Sequence, residues 1–415
     1  MVRAFAIGES CRGGRCSVEP AWQALDHAKP LKNLQNRLKV VVVSAGALDA
    51  NMMMLNNIDA IQSAGFEVVT ATWDMTGQPV KTKPPDLRGH VFRYPAYFSK
   101  PSRLLGYVLW QFFVIGVILT TLPKVVHSMD THSCLGVFAL KPILRYKVVL
   151  DFRDALGLVL SCFRFPLPQT AKLYERVYAR FSDYLMGSQG NNERMHDYLG
   201  PWALNGREIA NVLCVPHFTF PVEPTEYPTG KFIINISGHI SARRGAFLAL
   251  EAFGGHEDVV LEFIGDIPKQ KGILEAIGRC TNAVYVGKLS HEEYVNRLQR
   301  ASLVWLYYDI SIDSVAIASS CKMFEAMAVG RPYLTSTGSW MGAVAERHGL
   351  GFTLPYGDKE AVRRLVDELI MNPQRVREAG RHGRETYLRC FTWDTARQPI
   401  LRIYADIRKQ LNREA

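Results

Sequence analysis

Phe232–Gly245 reads FIINISGHISARRG. Its first six residues are apolar and rich in β-branched side chains, the pattern of a strand buried on both faces. Gly238 lets the backbone turn sharply, and a helical stretch follows from about Gly245 to Phe253. A strand that passes through a glycine turn into a helix is the opening unit of an alternating β/α architecture. Free N–H groups at such a helix start favour a phosphate, and Arg243 or Arg244 would stand beside it as a fixed positive charge. The same residues also make an ordinary turn.

The alternation extends in both directions. Downstream, strands are expected at Val259–Ile264, Ala283–Val286, Leu303–Tyr307 and Tyr333–Thr335, with helices at about His291–Ala301 and Ser320–Val329. Upstream, Lys39–Ser44 (KVVVVS), Glu67–Thr72, Lys124–Ser128, Lys147–Asp151 and Tyr184–Ser188 read as strands, with a helix at about Met52–Ala64. Between the two runs, Val212–Lys231 holds four prolines and little periodicity, as a linker does. Two such runs imply two open, mostly parallel sheets covered by helices. Ligands then bind outside the carboxyl ends of the strands.

The chain of 415 residues is long enough for two cores, and its 48% hydrophobic and 21% charged residues exclude disordered and collagen-like classes. The eight cysteines form no CxxC pair and read as thiols of a reducing compartment. The net charge of +10 suits phosphorylated substrates or anionic lipid. No nucleic-acid recognition motif accompanies it. The first 20 residues lack the apolar core of a secretory signal. Leu104–Leu122 is 19 residues without a charge, flanked by Lys100, Arg103 and Lys124. It reads as a membrane span, a helix half sunk into a membrane face, or a buried core helix. Tyr107 and Trp110 are residue types that favour a membrane interface.

Ser319–Pro332 (SSCKMFEAMAVGRP) is more specific. Ser319 or Ser320 is placed to cap a helix that carries Lys322 in its first turn. Glu325, three residues on, can accept two hydrogen bonds from a ribose diol, or form a local ion pair with Lys322 on a solvated face.

KMFEAMAVGRP resembles the nucleotide-binding signature of GT-B glycosyltransferases, glycosyltransferase family 4 above all. SGHISARRGAFLALEAF is similar to that family's phosphate loop, and VVLEFIGD, YVGKLSHEEYVNRLQRASLVWL and FTWDTARQPILRIY follow in matching order. The resemblance implies two Rossmann-like domains facing a cleft. An acceptor domain at 37–215 would follow an irregular extension at 1–36. A donor domain at 216–390 would precede a C-terminal helix at 391–415 that crosses back. It implies hexosyl transfer without metal or cofactor from a UDP- or GDP-sugar. Gly238, Arg243, Arg244, Lys322 and Glu325 would hold the donor. Two departures stand out. Ile317 replaces the carboxylate that the family often has eight positions before Glu325, and His239 replaces an arginine of the phosphate loop.

In the first half, VVHSMDTHS (Val125–Ser133) and DFRDALG (Asp151–Gly157) end strands. Asp130, His132 and Asp154 are candidate bases toward an acceptor hydroxyl, and Gly46 and Asp151 are candidate acceptor contacts. His127 reads either as a further polar group there or as a hydrogen-bonded residue at a strand end. Together with the basic charge and the apolar helix, these residues lead to an expectation. It is a cytoplasmic enzyme, peripheral on the cytoplasmic face of an anionic membrane, acting on a lipid-linked or envelope polysaccharide acceptor. The rival readings are a GT-B nucleotide-sugar epimerase and a non-catalytic nucleotide-sugar-binding protein.

Overall fold

The computed structural model describes residues 38–46, 52–75, 87–94, 102–153, 155–160, 166–188, 190, 192–218, 220, 222, 226–267, 271–311 and 313–414. The N-terminal extension and Asp154 lie outside them. The first sheet is built from β1 (Lys39–Ser44), β2 (Glu67–Asp74), β3 (Arg88–Arg93), β4 (Val125–Ser128), β5 (Lys147–Phe152), β6 (Tyr184–Gly187) and β7 (Ile209–Asn211). Its order is β3-β2-β1-β4-β5-β6-β7. The second holds β8 (Phe232–His239), β9 (Val259–Asp266), β10 (Ala283–Gly287), β11 (Leu303–Leu306), β12 (Tyr333–Ser336) and β13 (Gly351–Leu354), in the order β10-β9-β8-β11-β12-β13.

Each sheet therefore runs outward from its first strand, then reverses. That is the Rossmann order, with its ligand crevice at the reversal. In the second sheet the reversal falls between β8 and β11, which pair in parallel at Leu303 with Ile234. The central strands carry no charge facing the core: Val40–Val43 and Ile234 are buried, as are Leu303–Leu306. The edge strand β3 is polar and largely exposed, which is why its sequence gives no strand signal.

Among the described residues, one compact unit takes the chain up to Asp151 with Phe181–Leu185 and Ile400 onward. The other takes Phe152–Arg180 with Met186–Pro399. The Gln398–Glu414 helix buries Ile400, Ile403, Tyr404 and Ile407, one apolar stripe at helical spacing. Tyr404 Oη lies 2.9 Å from His127 Nδ1 at the end of β4, and its ring meets Phe66 edge-on at 5.2 Å. His127 is thus a buried, hydrogen-bonded strand-end residue.

The apolar segment forms the Ser102–Thr121 helix. Trp110, Val114, Val117 and Ile118 face the core of the first unit. Leu104, Leu105, Val108, Phe112 and Leu119 are exposed, Leu104 at 74% and Phe112 at 67%. Of the Leu104–Thr121 stretch, 28% is buried against the described residues. Trp110 and Tyr107 do not serve the exposed side. Trp110 is fully buried and donates to Ser133 Oγ at 3.1 Å. Tyr107 packs edge-on against Trp73, with centroids 5.0 Å apart.

Candidate functional site

The carboxyl end of β8 carries the site. Gly238 has φ +98°, a conformation L side chains rarely adopt. A Cβ there would lie 3.6 Å from Arg244 Nη1 and 3.8 Å from Lys322 Cε. This glycine therefore marks the point where the basic side chains of the loop and of the Cys321–Ala328 helix come together. Gly245, φ +73°, ends the short Ala242–Arg244 turn, where a Cβ would meet Tyr307 O at 2.6 Å. The loop is thereby held against the end of β11. A crevice at this reversal is lined by Ser237, His239, Ser241, Arg244, Trp305 and Tyr308.

Of the two arginines, the fold brings Arg244 to this point. Its guanidinium lies 5.2 Å from the Tyr308 ring, and Trp305 Nε1 donates to its carbonyl at 3.1 Å. Arg243 is exposed, and its carbonyl accepts from Asp309 N–H. His239 is held below the usual histidine range, first by burial and then by Arg244.

The Cys321–Ala328 helix buries Met323, Phe324, Glu325, Ala326, Met327 and Ala328. Neither serine caps it as the sequence suggested. Ser320 makes no side-chain capping bond, and Ser319 Oγ donates instead to Ser188 O at 2.6 Å. Glu325 is 1% exposed, so the solvated ion pair is not what forms. Its Oε2 meets Lys322 Nζ at 2.8 Å and its Oε1 meets His291 Nε2 at 3.1 Å. The Lys322 ammonium also sits 3.7 Å from the centroid of Tyr294, whose Oη is 3.0 Å from Ser237 Oγ.

Burial opposes both charges of the pair, and the mutual attraction outweighs it. The Glu325 carboxyl lies below its ordinary value through Lys322 and His291. Lys322 lies above its own through Glu325, Tyr294 and Cys321. His291 was not singled out from sequence. The available signal was the capping box of Ser290 and Glu293, which fixes the start of the His291–Leu298 helix and so the direction of its first side chain. Its ring also stacks on Phe218, 5.5 Å between centroids.

In the first unit, Asp130 is bound into its own loop. Its carboxylate accepts from Ala45 N–H at 2.6 Å, Ser133 N–H at 3.2 Å and Ser133 Oγ at 3.0 Å. That joins the β4 loop to the β1 loop next to Gly46. The His132 ring stacks on Tyr107, with Nδ1 3.9 Å from Asp130 Oδ1. Asp151 is buried and accepts from Asn57 Nδ2 at 3.3 Å.

Residues 248–402 match the family described as Glycosyl transferase-like. The chain has the GT-B fold. Sucrose-phosphate synthase from Thermosynechococcus elongatus superposes with a TM-score of 0.71 at 15% identity, covering 91% of this chain and 100% of that one. HepE from Anabaena, in complex with UDP and glucose, gives 0.67 at 14% identity, with 89% and 100% covered. WaaG, a glycosyltransferase involved in lipopolysaccharide biosynthesis, gives 0.62 at 12%, with 87% and 98% covered. No curated protein matches the sequence.

Proposed function

We propose that this protein is a glycosyltransferase that moves a hexosyl group from a nucleoside-diphosphate sugar to a lipid-linked or envelope polysaccharide acceptor at a membrane surface. The observation that carries the reading is the meeting of Arg244 and Lys322 over Gly238. Two cations beside a side-chain-free backbone segment suit a diphosphate, and they supply the neutralising charge that a metal ion would otherwise bring. Glu325 retains lone pairs for a ribose diol beyond those used by Lys322 and His291. UDP, held by the Anabaena neighbour, is the first nucleotide to try.

In this reading residues 216–390 take the donor and 37–215 the acceptor, with Gly46, Asp151, His132 and Asp154 as the acceptor-side candidates. No resident cofactor or metal is called for, and nucleic acid is not a partner. The exposed apolar face of the Ser102–Thr121 helix supports a place on the cytoplasmic face of an anionic membrane.

The test is turnover of UDP- and GDP-sugars with membrane lipid extract, followed by isolation of the product. A glycosylated lipid or polysaccharide bears the proposal out. Conversion of the free nucleotide-sugar to its epimer would replace it with the epimerase reading. Tight donor binding without any turnover would leave a binding protein.

A further inference from the structure

We propose that Tyr308 is a positioning residue of the donor site, whose ring face holds the Arg244 guanidinium ready for a diphosphate. The inference rests on reading Arg244 as a donor-binding residue. The two cations over Gly238 are held in different ways. Lys322 has a carboxylate of its own, Glu325, at 2.8 Å. Among the described residues no carboxylate or carbonyl pairs with the Arg244 guanidinium, which sits 5.2 Å from the centroid of the Tyr308 ring.

The difference matters chemically. A carboxylate would fix the guanidinium but take up its N–H donors and cancel its charge. An aromatic face attracts the cation through its quadrupole and takes no donor. Arg244 therefore lines the crevice restrained, with its charge uncancelled and its N–H groups free for phosphate oxygens. Restraint set by the fold also lowers the rotamer freedom that a long side chain would otherwise lose on binding.

The ring is itself firmly placed. Tyr308 lies two residues beyond β11 and is 6% exposed. Ser336 Oγ, at the end of β12, donates to its carbonyl at 2.6 Å. The chain on either side of it is joined to the phosphate loop. Trp305 Nε1 donates to Arg244 O at 3.1 Å, and Asp309 N–H donates to Arg243 O at 2.9 Å. The ring and its cation are thus parts of one hydrogen-bonded assembly. The Tyr308 hydroxyl is buried and makes no hydrogen bond among the described residues, so the ring is the part that this role uses.

The experiment measures UDP affinity by calorimetry for the full-length protein carrying Tyr308→Phe, Tyr308→Leu, Arg244→Ala or Arg244→Ala/Tyr308→Leu, with melting curves to confirm folding. Tyr308→Phe keeps the ring face and should bind UDP within about twofold of the wild type. Tyr308→Leu should lose about three- to tenfold. In the Arg244→Ala background the same Leu change should have almost no further effect, because a residue acting through Arg244 has nothing left to position. A purely structural role would weaken binding in both backgrounds. If Tyr308→Leu does not fold, Tyr308→Phe with increasingly fluorinated rings gives the reading instead. Fluorine weakens the ring face at nearly constant shape, so affinity should fall stepwise. The proposal is overturned by Tyr308→Phe binding as weakly as Tyr308→Leu, by a Leu loss that persists in full without Arg244, or by affinity indifferent to fluorination. A wild type that binds neither UDP nor GDP overturns the donor reading and the positioning role with it. Unchanged UDP binding by Tyr308→Leu sinks the positioning role alone.

Discussion

Lys322 Nζ and Glu325 Oε2 are 2.8 Å apart, one helical turn from each other, with the carboxylate shut away from solvent. A pair in that position is a liability if either member is lost, because the survivor keeps its desolvation cost without its partner. Lys322→Met should therefore destabilise the protein by about 3–5 kcal/mol. Lys322→Met/Glu325→Leu should recover much of that. Urea unfolding of both variants checks it, and equal losses would show that the two side chains are not coupled. Stability should also follow pH in a defined direction. The Glu325 carboxyl is held below its ordinary value, so its contribution is full above about pH 4.3 and is lost as pH falls through the lower folded value.

Arg244→Ala should weaken binding of UDP and leave binding of uridine nearly unchanged, because only the diphosphate requires neutralisation. A charged hydrogen bond of this kind contributes about 1.5–3 kcal/mol, or roughly ten- to a hundredfold in affinity. Calorimetry with the two ligands separates the effects. Equal losses for both would move Arg244 out of the phosphate site. Arg243→Ala, whose side chain is exposed, should lose far less.

His239 gives the site a pH dependence. Burial and Arg244 hold its imidazole below the usual range, so it is neutral at pH 7.5 in the free protein. A bound diphosphate adds negative charge nearby and raises that value, so binding takes up a proton. Affinity for a nucleotide-sugar should thus increase as pH falls from 7.5 toward 6. The nucleotide-sugar diphosphate has no proton of its own to exchange there. His239→Asn should flatten the profile, and calorimetry in buffers of different ionisation enthalpy should show proton uptake only in the wild type.

The two sheets were legible because β1, β8 and β11 are buried on both faces and so read as unbroken apolar runs. β3, β7 and β13 were missed for the converse reason: β3 is a polar edge, β7 is only three residues long, and β13 (GFTL) opens on glycine and buries Phe352 alone. Within the site, Lys322 and Glu325 were found because both sit on one helix at fixed spacing. Their burial was invisible, since it depends on Tyr294 and His291, which come from another helix.

The exposed face of the Ser102–Thr121 helix should hold the protein on vesicles. Leu105→Asp/Phe112→Asp changes two exposed side chains, so the core face formed by Trp110 and Val114 is left intact. Sedimentation with phosphatidylglycerol vesicles should find the wild type in the pellet at low salt and the double variant in the supernatant. Identical melting curves for the two proteins would show that the fold is kept. A wild type that stays in the supernatant would end the membrane reading.

Asp130 is the site residue whose structural setting most alters its expected behaviour. Its two oxygens accept from Ala45 N–H, Ser133 N–H and Ser133 Oγ, bonds that fix the loops after β1 and β4. A carboxylate engaged in this way is built to position its loop, although the same place suits a base that takes an acceptor proton. Asp130→Asn distinguishes the roles, because the amide turns an NH2 group toward one donor and leaves it unpaired. The positioning role predicts a stability loss of about 1–3 kcal/mol, with turnover falling only modestly in the folded fraction. The base role predicts turnover reduced by about 10²–10⁴-fold. Donor binding should be intact in either case. The anomeric proton of the product, read by NMR, completes the test. An inverted product formed near the wild-type rate by Asp130→Asn would remove Asp130 as the base and leave His132 and Asp154 to be tested next. A retained product would mean that the acceptor proton leaves with the donor phosphate, and that Asp130 acts only through the loops it holds.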